Sequence, residues 1–280
     1  MTRSVTVLAT GPLTTVQDAG RLGHGALGVG RSGACDRRSY QLANRLVGND
    51  AGAAVLEVTL GGLTLQANDD LLVVTTGARC AGAFPHNAPT PLRAGERLLL
   101  GTPASGLRTY LAVRGGVAVD PVLGSRSTDV LSGLGPAVVS GGDLIGVGSS
   151  SQPVPGVDLA PVRDPAGGAV RVRVAAGPRR DWFTGAAWAT LLAAPYTVGT
   201  DSNRVGLRLD GEPLGRAGSG ELPSEGMVRG ALQIPPSGTP VLFLADHPVT
   251  GGYPVAAYVL DDDVDRCAQL RPGQPLRFST

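Results

Sequence analysis

Short runs of strand-forming residues, separated by Gly and Pro, recur along almost the whole chain and constrain its fold more than any other feature. The 280 residues include 42 Gly and 22 Pro with no low-complexity period, so turns rather than disorder separate the runs. The runs occupy residues 5–8, 55–58, 71–75, 97–100, 109–113, 170–175, 205–209, 241–245 and 255–260. This pattern predicts a mainly β protein of the sandwich or barrel type, with a few short helices.

Capping residues predict three of those helices. Asp36 is the expected N-cap of the first. Asp181 is the expected start of the second, over residues 182–193. The acidic run at residues 261–263 is expected to begin the third, over residues 264–270, because its charges complement the helix dipole. The acidic run is therefore interpreted as a helix start rather than as a metal site.

The sequence also predicts two domains. Residues 151–164 are rich in Ser and Pro and are typical of a linker, which leaves residues 1–150 and 165–280 as the N- and C-terminal domains. A short repeat supports two similar halves, because residues 92–98 (LRAGERL) and 270–276 (LRPGQPL) share a pattern. Both segments resemble a turn that leads into a closing strand.

Charge and composition exclude several functions. The net charge is +1 and there is no basic block, so nucleic-acid binding is not expected. No apolar run is long enough to span a membrane, and the first apolar stretch is too short for a signal peptide, so the sequence predicts a cytoplasmic protein. The sequence contains no lysine, which excludes a covalent biotin on this chain, a Schiff base and a lysine phosphate loop.

The cysteines and histidines indicate no metal site or disulfide framework, because the three of each are scattered without ligand spacing. Cys35 has two interpretations, a nucleophile or a small neutral residue near a helix start, and the lack of a local base favours the second. Residues 23–28 match the pattern GxGxxG, but no strand precedes the motif and no helix opens on it, so a dinucleotide site is rejected.

The segment that most strongly indicates a functional site is residues 224–259. Two strand-like runs flank a Pro- and Gly-rich reversal at residues 235–240, and a polar loop with Asp246 and residues 250–253 follows. Glycines in such a loop let a backbone approach a ligand or another chain closely. Loops of this composition on a buried strand are common places for binding sites.

Motifs along nearly the whole chain resemble the C-type subunit family of 5-oxoprolinase, also called the allophanate hydrolase subunit 2 or biotin-dependent carboxyltransferase family. The matching segments include residues 11–21 (GPLTTVQDAGR), 32–36 (SGACD), 110–116 (YLAVRGG), 124–128 (GSRST), 202–209 (SNRVGLRL) and 250–254 (TGGYP), with Gln233, Pro235 and Asp246. The chain departs from the family pattern at Asn203 and at His247, Pro248 and Val249. Because of those departures, the sequence does not identify the substrate.

The resemblance implies two cyclophilin-like β-barrel domains and a chain that acts in a hetero-oligomer. The expected partner is the shorter, kinase-inhibitor-like B-type subunit, and an A-type hydrolase works with the pair. The implied activity is ATP-dependent activation, by phosphorylation, of 5-oxoproline for ring opening to L-glutamate, with ATP and Mg²⁺ bound by this chain or jointly with the partner. Alternatives are a carboxyltransferase acting on urea- or allophanate-like amides, with biotin on another protein, and a non-catalytic regulator that binds the kinase-inhibitor-like partner.

The matched motifs also indicate site residues. Asp246, Glu225 and Arg204 are the candidates for catalysis, since a carboxylate transfers protons and a guanidinium stabilises developing negative charge. Arginines in polar or glycine-rich turns suit carboxylate or phosphate binding. The candidates for substrate or phosphate binding are Arg21, Arg114, Arg126, Arg208, Ser32, Gln233, Thr250, Gly251, Gly252 and Tyr253. No protein-held metal site is predicted.

Overall fold

A computed structural model describes residues 3–218, 220 and 222–280, and β-strands dominate them. In chain order, β1 to β19 are Arg3–Thr10, Leu13–Gln17, Val55–Thr59, Leu63–Ala67, Leu71–Gly77, Thr90–Leu92, Arg97–Leu99, Arg108–Val113, Val117–Ala118, Leu144–Val147, Val170–Ala176, Tyr196–Val198, Gly206–Asp210, Glu225–Gly226, Ala231–Gln233, Val241–Phe243, Thr250–Gly251, Val255–Val259 and Pro275–Ser279. The predicted mainly β class is confirmed.

The described residues contain three short α-helices: α1 is Arg37–Leu46, α2 is Gly185–Ala193 and α3 is Asp261–Cys267. Asp36 caps α1 as predicted, and its carboxylate accepts a hydrogen bond from Ser39 N at 3.0 Å. None of these helices is long and apolar enough to cross a membrane.

The predicted start of α2 is wrong. Thr184 is the N-cap, and its hydroxyl accepts a hydrogen bond from Ala187 N at 3.0 Å. Asp181 lies instead in a 3₁₀ turn, Arg180–Trp182, which ends before α2 begins. A side chain nearer to the helix, with the right cap geometry, therefore takes the place of the acid.

Helix α3 begins three residues earlier than expected, at Asp261, so the acidic run lies inside its first turn. Asp263 accepts hydrogen bonds from Arg173 N at 2.8 Å and Arg173 Nε at 2.9 Å. Arg229 pairs with Asp261 at 2.7 Å. Helix start and ion pairs together account for these carboxylates, in agreement with the interpretation of the acidic run as a helix start.

The first of two compact units contains the residues up to Arg21 together with Ser32–Asp129 and Gly133–Pro165. Its strands form two five-stranded sheets, in the orders β7-β4-β1-β10-β9 and β2-β3-β8-β5-β6. Val7, Leu65 and Leu111 are among the fully buried side chains of its core. Residues 151–164, predicted to be a linker, are grouped with this unit.

The second unit contains Ala166–Thr280 together with Leu22–Arg31 and Val130–Ser132. Seven strands close into a barrel in the order β11-β18-β15-β16-β13-β12-β19, and β14 pairs with β17 as a separate ribbon. The GxGxxG segment belongs to this unit and contains only a 3₁₀ turn, Gly25–Leu27, so the rejection of a dinucleotide motif agrees with the local structure.

The short sequence repeat forms the same turn in both units. In the first unit, Arg93 N donates to the Glu96 carboxylate at 2.7 Å, and in the second, Arg271 N donates to Gln274 Oε1 at 3.1 Å. The glycines of the two turns have φ values of 84° and 83°, a conformation that favours glycine. The turns lead directly into β7 and β19, as the sequence predicts.

Candidate functional site

The β15–β16 hairpin carries the polar loop of the second unit. Leu232 pairs with Leu242 across the hairpin, and Gly238 N donates to Pro235 O at 3.0 Å inside the reversal. The strand that ends at Phe243 then leads to Asp246 and to the loop with β17. The predicted chain reversal at residues 235–240 is confirmed.

Gly251 lets the loop pack closely on this hairpin. Gln233 Nε2 donates to Tyr253 O at 3.0 Å, and a Cβ atom at Gly251 would lie only 2.7 Å from that nitrogen. Gly251 also pairs with Glu225 between β17 and β14. The glycine is therefore needed for close approach, whereas Gly252 has no neighbouring atom nearer than 3.7 Å to such a Cβ. Thr250 is exposed.

Asp246 and Arg204 form a buried ion pair. Arg204 Nε and Nη2 donate to the two carboxylate oxygens, each at 2.9 Å, and Val130 N donates to Asp246 Oδ2 at 3.1 Å. The Arg204 and Asp246 side chains are 1% and 0% exposed. Because each charge is satisfied by the other and neither reaches solvent, this geometry does not support their predicted direct role in catalysis. It supports a role in holding the loop.

Glu225 is also paired, although it is partly exposed. Arg179 Nε donates to Glu225 Oε1 at 2.9 Å, and Arg179 Nη2 contacts the same oxygen. The hydrogen bond from Arg179 lowers the pKa of the Glu225 carboxyl. Glu225 is therefore an anion at neutral pH, a form that can accept a proton but not donate one, and its role in proton transfer stays a prediction.

Three of the predicted anion-binding arginines bind backbone carbonyls of the first unit instead. The bonds run from Arg21 Nε to Val122 O at 3.2 Å, from Arg114 Nη1 to Val47 O at 2.9 Å, and from Arg126 Nε to Val119 O at 2.6 Å. Guanidinium groups used in this way stabilise loops that lack strand partners. The structure thus shows these three guanidinium groups holding loops of the first unit, and their role in binding substrate or phosphate stays a prediction.

Arg208, Gln233 and Tyr253 are brought together around one cavity of about 380 Å³ in the second unit. We call it the Arg208 cavity; Asp201 and Asn203 line its polar side and Phe243 its apolar side. The Arg208 side chain is exposed, and among the described residues its guanidinium has no hydrogen-bond or ion-pair partner. The cavity therefore presents an available cation beside a carboxylate and two side-chain amides.

Tyr253 also lines a second cavity, of about 260 Å³, that the sequence did not predict. Trp182, Leu222 and Pro236 form apolar walls, and Arg216 donates to Ile234 O at 2.8 Å. Trp182 is one of only two tryptophans in the chain, and that scarcity is the one signal that could have singled it out.

No part of the described chain groups three or more His, Cys, Asp or Glu side chains as a metal-ion site. Mg²⁺ is usually held by one or two carboxylates together with substrate phosphates, not by an all-protein cage. Asp201 in the Arg208 cavity fits that mode. It would supply one oxygen ligand to an ion that arrives with a phosphate.

Two further side chains belong to the core of the first unit. Cys35 is fully buried, and its N–H donates to the Glu57 carboxylate at 2.9 Å, which agrees with a small neutral residue rather than a nucleophile. His86 is buried with Nδ1 3.2 Å from Thr75 Oγ1. Burial lowers the pKa of His86 to about 4, so the ring is neutral at pH 7.

Comparison with known proteins places this geometry among carboxyltransferase domains. Residues 27–280 match the model of the family described as the carboxyltransferase domain, subdomain A and B. The chain is 38% identical to the C-type subunit of Escherichia coli 5-oxoprolinase, over 97% of this chain and 89% of that protein.

Two matches involve much larger proteins. The chain is 31% identical to the urea amidolyase of Lachancea kluyveri, over 97% of this chain but 16% of that protein. The solved structure of Kluyveromyces lactis urea carboxylase superimposes with a TM-score of 0.91 at 28% identity, over 99% of this chain and 27% of that one.

Proposed function

Because the chain belongs to the carboxyltransferase domain family, which includes the C-type subunit of 5-oxoprolinase, we propose that it fills that place in an ATP-dependent 5-oxoprolinase. The observation that carries the proposal is its similarity to the Escherichia coli protein over nearly the full length of both chains. In this role the chain acts with a B-type partner to phosphorylate the lactam oxygen of 5-oxoproline, and an A-type hydrolase completes ring opening to L-glutamate.

The Arg208 cavity supports a role in binding the anionic co-substrate. A phosphate chain carries several negative oxygens, and a guanidinium binds such groups through charge-assisted hydrogen bonds. The Arg208 guanidinium has no partner among the described residues, so no ion pair must break before a phosphate binds. With no lysine in the sequence, arginine is the only side chain that can supply this permanent charge.

Phosphorylation of the lactam requires that the negative charge on the transferred phosphoryl group be neutralised. Transfer of a phosphoryl group develops negative charge on its oxygens, and cations or aligned donors stabilise it. We assign this task to Arg208, with Asp201 available to a phosphate-bound Mg²⁺ and the Asn203 amide as a further donor. The buried Arg204–Asp246 pair keeps the loop that carries Tyr253 in position.

Reconstitution tests the proposed activity. The chain, purified with its B-type and A-type partner proteins, is expected to hydrolyse ATP only when 5-oxoproline is present and to release L-glutamate in proportion. Omission of this chain should abolish both signals. Absence of lactam-stimulated ATP hydrolysis in the complete three-protein system would rule the proposal out.

Replacing Arg208 by Gln tests the assignment of the Arg208 cavity. A charge-assisted hydrogen bond contributes about 1.5–3 kcal/mol, so we expect the KM for ATP to rise about 10–100-fold. The KM for 5-oxoproline should change little. The matched control is Arg171→Gln, since Arg171 is an exposed arginine on β11 that lines neither the Arg208 cavity nor the cavity beside Trp182. An unchanged KM for ATP in R208Q would contradict the assignment.

A second function is favoured by the similarity to urea amidolyase and urea carboxylase. In that case the chain would transfer a carboxyl group from biotin on another protein to urea or a similar amide, with no ATP bound here. Carboxylation of urea by the chain together with a carboxybiotin donor, and no response to 5-oxoproline, would favour it. Tight binding of the kinase-inhibitor-like partner without any turnover would instead indicate the regulatory alternative.

A further inference from the structure

The cavity beside Trp182 in the second unit combines apolar walls with one cation. Its apolar lining comes from Trp182, Leu222, Pro236 and Pro254, and Arg216 is the one charged residue among the described residues of the wall. The volume of about 260 Å³ is below the roughly 300–1,000 Å³ of sites for drug-sized ligands. The cavity therefore suits a small molecule that joins an apolar body to a negative charge.

The Arg216 guanidinium is fixed in place but only partly used. Its Nη2 donates to Ile234 O at 2.8 Å, whereas Nε and Nη1 have no partner among the described residues. Nε is enclosed by protein, but Nη1 is not, and the side chain as a whole is half-buried. Nη1 therefore remains available to donate to a ligand in the cavity that Arg216 lines.

Backbone contacts hold Arg216 beside Trp182. Arg216 forms an isolated β-bridge with Phe183, and Ala217 N donates to Trp182 O at 2.9 Å. Gly220 lies against the indole, since a Cβ atom there would be 3.2 Å from Trp182 Cη2. The cation and the aromatic wall are thus fixed relative to each other before a ligand arrives, which lowers the entropic cost of binding.

The loop that carries Tyr253 forms another part of the wall and is held to the hairpin at two points. Gln233 Nε2 donates to Tyr253 O, and Ile234 N donates to Pro254 O, each at 3.0 Å. Tyr253 lines both this cavity and the Arg208 cavity. The two cavities are therefore neighbours, and molecules bound in both would lie next to each other.

We propose that the cavity beside Trp182 binds a small cyclic amide through a carboxylate group on its ring, which is 5-oxoproline in the proposed function. Arg216 Nη1 donates to the carboxylate, and the ring lies against the indole of Trp182. A carboxylate supplies the counter-charge that the guanidinium lacks, whereas a neutral nucleobase does not. With phosphates in the adjacent Arg208 cavity, the acid and the phosphate donor meet beside one loop. The inference rests on the proposed function and assigns the place where its acid substrate binds.

Direct binding to the full-length chain tests the proposal without an activity assay. Calorimetric titration should show that L-5-oxoproline binds at least about tenfold more tightly than L-5-oxoprolinamide, which keeps the ring but carries no negative charge. Equal affinity for the two probes, or no binding of L-5-oxoproline, would overturn the proposal. If adenosine binds in place of L-5-oxoproline, the cavity holds a nucleobase and the proposal is also wrong.

Arg216→Gln supplies the decisive variant. We expect its affinity for L-5-oxoproline to fall about 10–100-fold, because a charge-assisted hydrogen bond is lost, while its affinity for L-5-oxoprolinamide changes little. Arg277→Gln is the matched control, since Arg277 is also a half-buried arginine of the second unit, donates to Ala193 O at 3.0 Å and does not line the cavity. Each variant loses one bond to a backbone carbonyl, so both should lower Tm, and only R216Q should lose affinity.

Fluorescence locates the bound acid. Trp182 lines the cavity, whereas Trp188, the only other tryptophan of the chain, does not. L-5-oxoproline should therefore change the fluorescence of the Trp188→Phe variant, which retains Trp182, and leave that of the Trp182→Phe variant unchanged. A fluorescence change that persists in W182F would place the ligand elsewhere and contradict the proposal.

The outcomes separate this inference from the proposed function. If R216Q binds L-5-oxoproline as tightly as R277Q does, the inference fails, even if the reconstituted complex consumes ATP with 5-oxoproline. If the complex is inactive but L-5-oxoproline binds and R216Q weakens it, the inference stands and the proposed activity fails. In an active complex, R216Q should raise the KM for 5-oxoproline and leave that for ATP unchanged, the reverse of the effect expected for R208Q.

Discussion

Asp246→Asn is expected to destabilise the protein by about 3–5 kcal/mol, because it removes one partner of a buried ion pair and leaves the Arg204 guanidinium without its counter-charge. Both oxygens of Asp246 accept from Arg204 at 2.9 Å, and neither side chain reaches solvent. The loss of stability would be measured as a lower urea concentration at the midpoint of unfolding, with an unchanged slope of the free energy of unfolding against urea concentration.

An exposed pair provides the control for this prediction. Asp70 and Arg93 are 3.0 Å apart, with side chains 62% and 68% exposed, and surface pairs contribute about 0–1 kcal/mol. Asp70→Asn should therefore have little effect. If D246N proved as mild as D70N, the Arg204–Asp246 pair would not be the element that fixes the loop, and Asp246 would return as a candidate for catalysis.

Acid is expected to destabilise the first unit through His86. The folded pKa is about 4, below the value of about 6.5 for an unfolded chain. Between those values the unfolded chain binds the proton and the folded chain does not, so stability falls as the pH is lowered from 6.5 to 4. The difference of about 2.5 pKa units corresponds to about 3 kcal/mol at most.

His86→Asn isolates this contribution. Asparagine keeps a polar group near Thr75 but cannot titrate, so the free energy of unfolding of H86N should depend less steeply on pH between 4 and 6.5 than that of the natural protein. His24→Asn, which alters a histidine of the second unit, serves as the control. Parallel pH curves for the natural protein and H86N would show that His86 is not held neutral by the fold.

Local rules predicted the parts of the fold that depend on neighbouring residues. Asp36 caps α1 and the reversal at residues 235–240 forms because an N-cap carboxylate and a Pro-Gly turn act within a few residues. The predicted start of α2 was wrong because two residues could cap the helix, and Thr184 rather than Asp181 does so. The local sequence alone does not show which of two suitable N-cap residues begins a helix.

The candidate site was predicted less completely, because the partner of a charged side chain is set by tertiary packing. Arg114 and Arg208 look alike in sequence, each beside glycine or polar residues. Only the fold shows that Arg114 binds the carbonyls of Val47 and Gln152 whereas Arg208 lines a cavity. Arg216 lies outside the matched motifs, and only the folded chain places it in the wall of a cavity.

The turn shared by residues 93–96 and 271–274 shows how little of the strand arrangement a local motif controls. The same backbone-to-side-chain bond and the same left-handed glycine precede a strand in each unit. The first of these strands, β7, lies at the edge of a five-stranded sheet, whereas the second, β19, is part of the closed seven-stranded barrel. The turn therefore sets where a strand begins, and contacts distant in sequence decide which neighbours the strand pairs with.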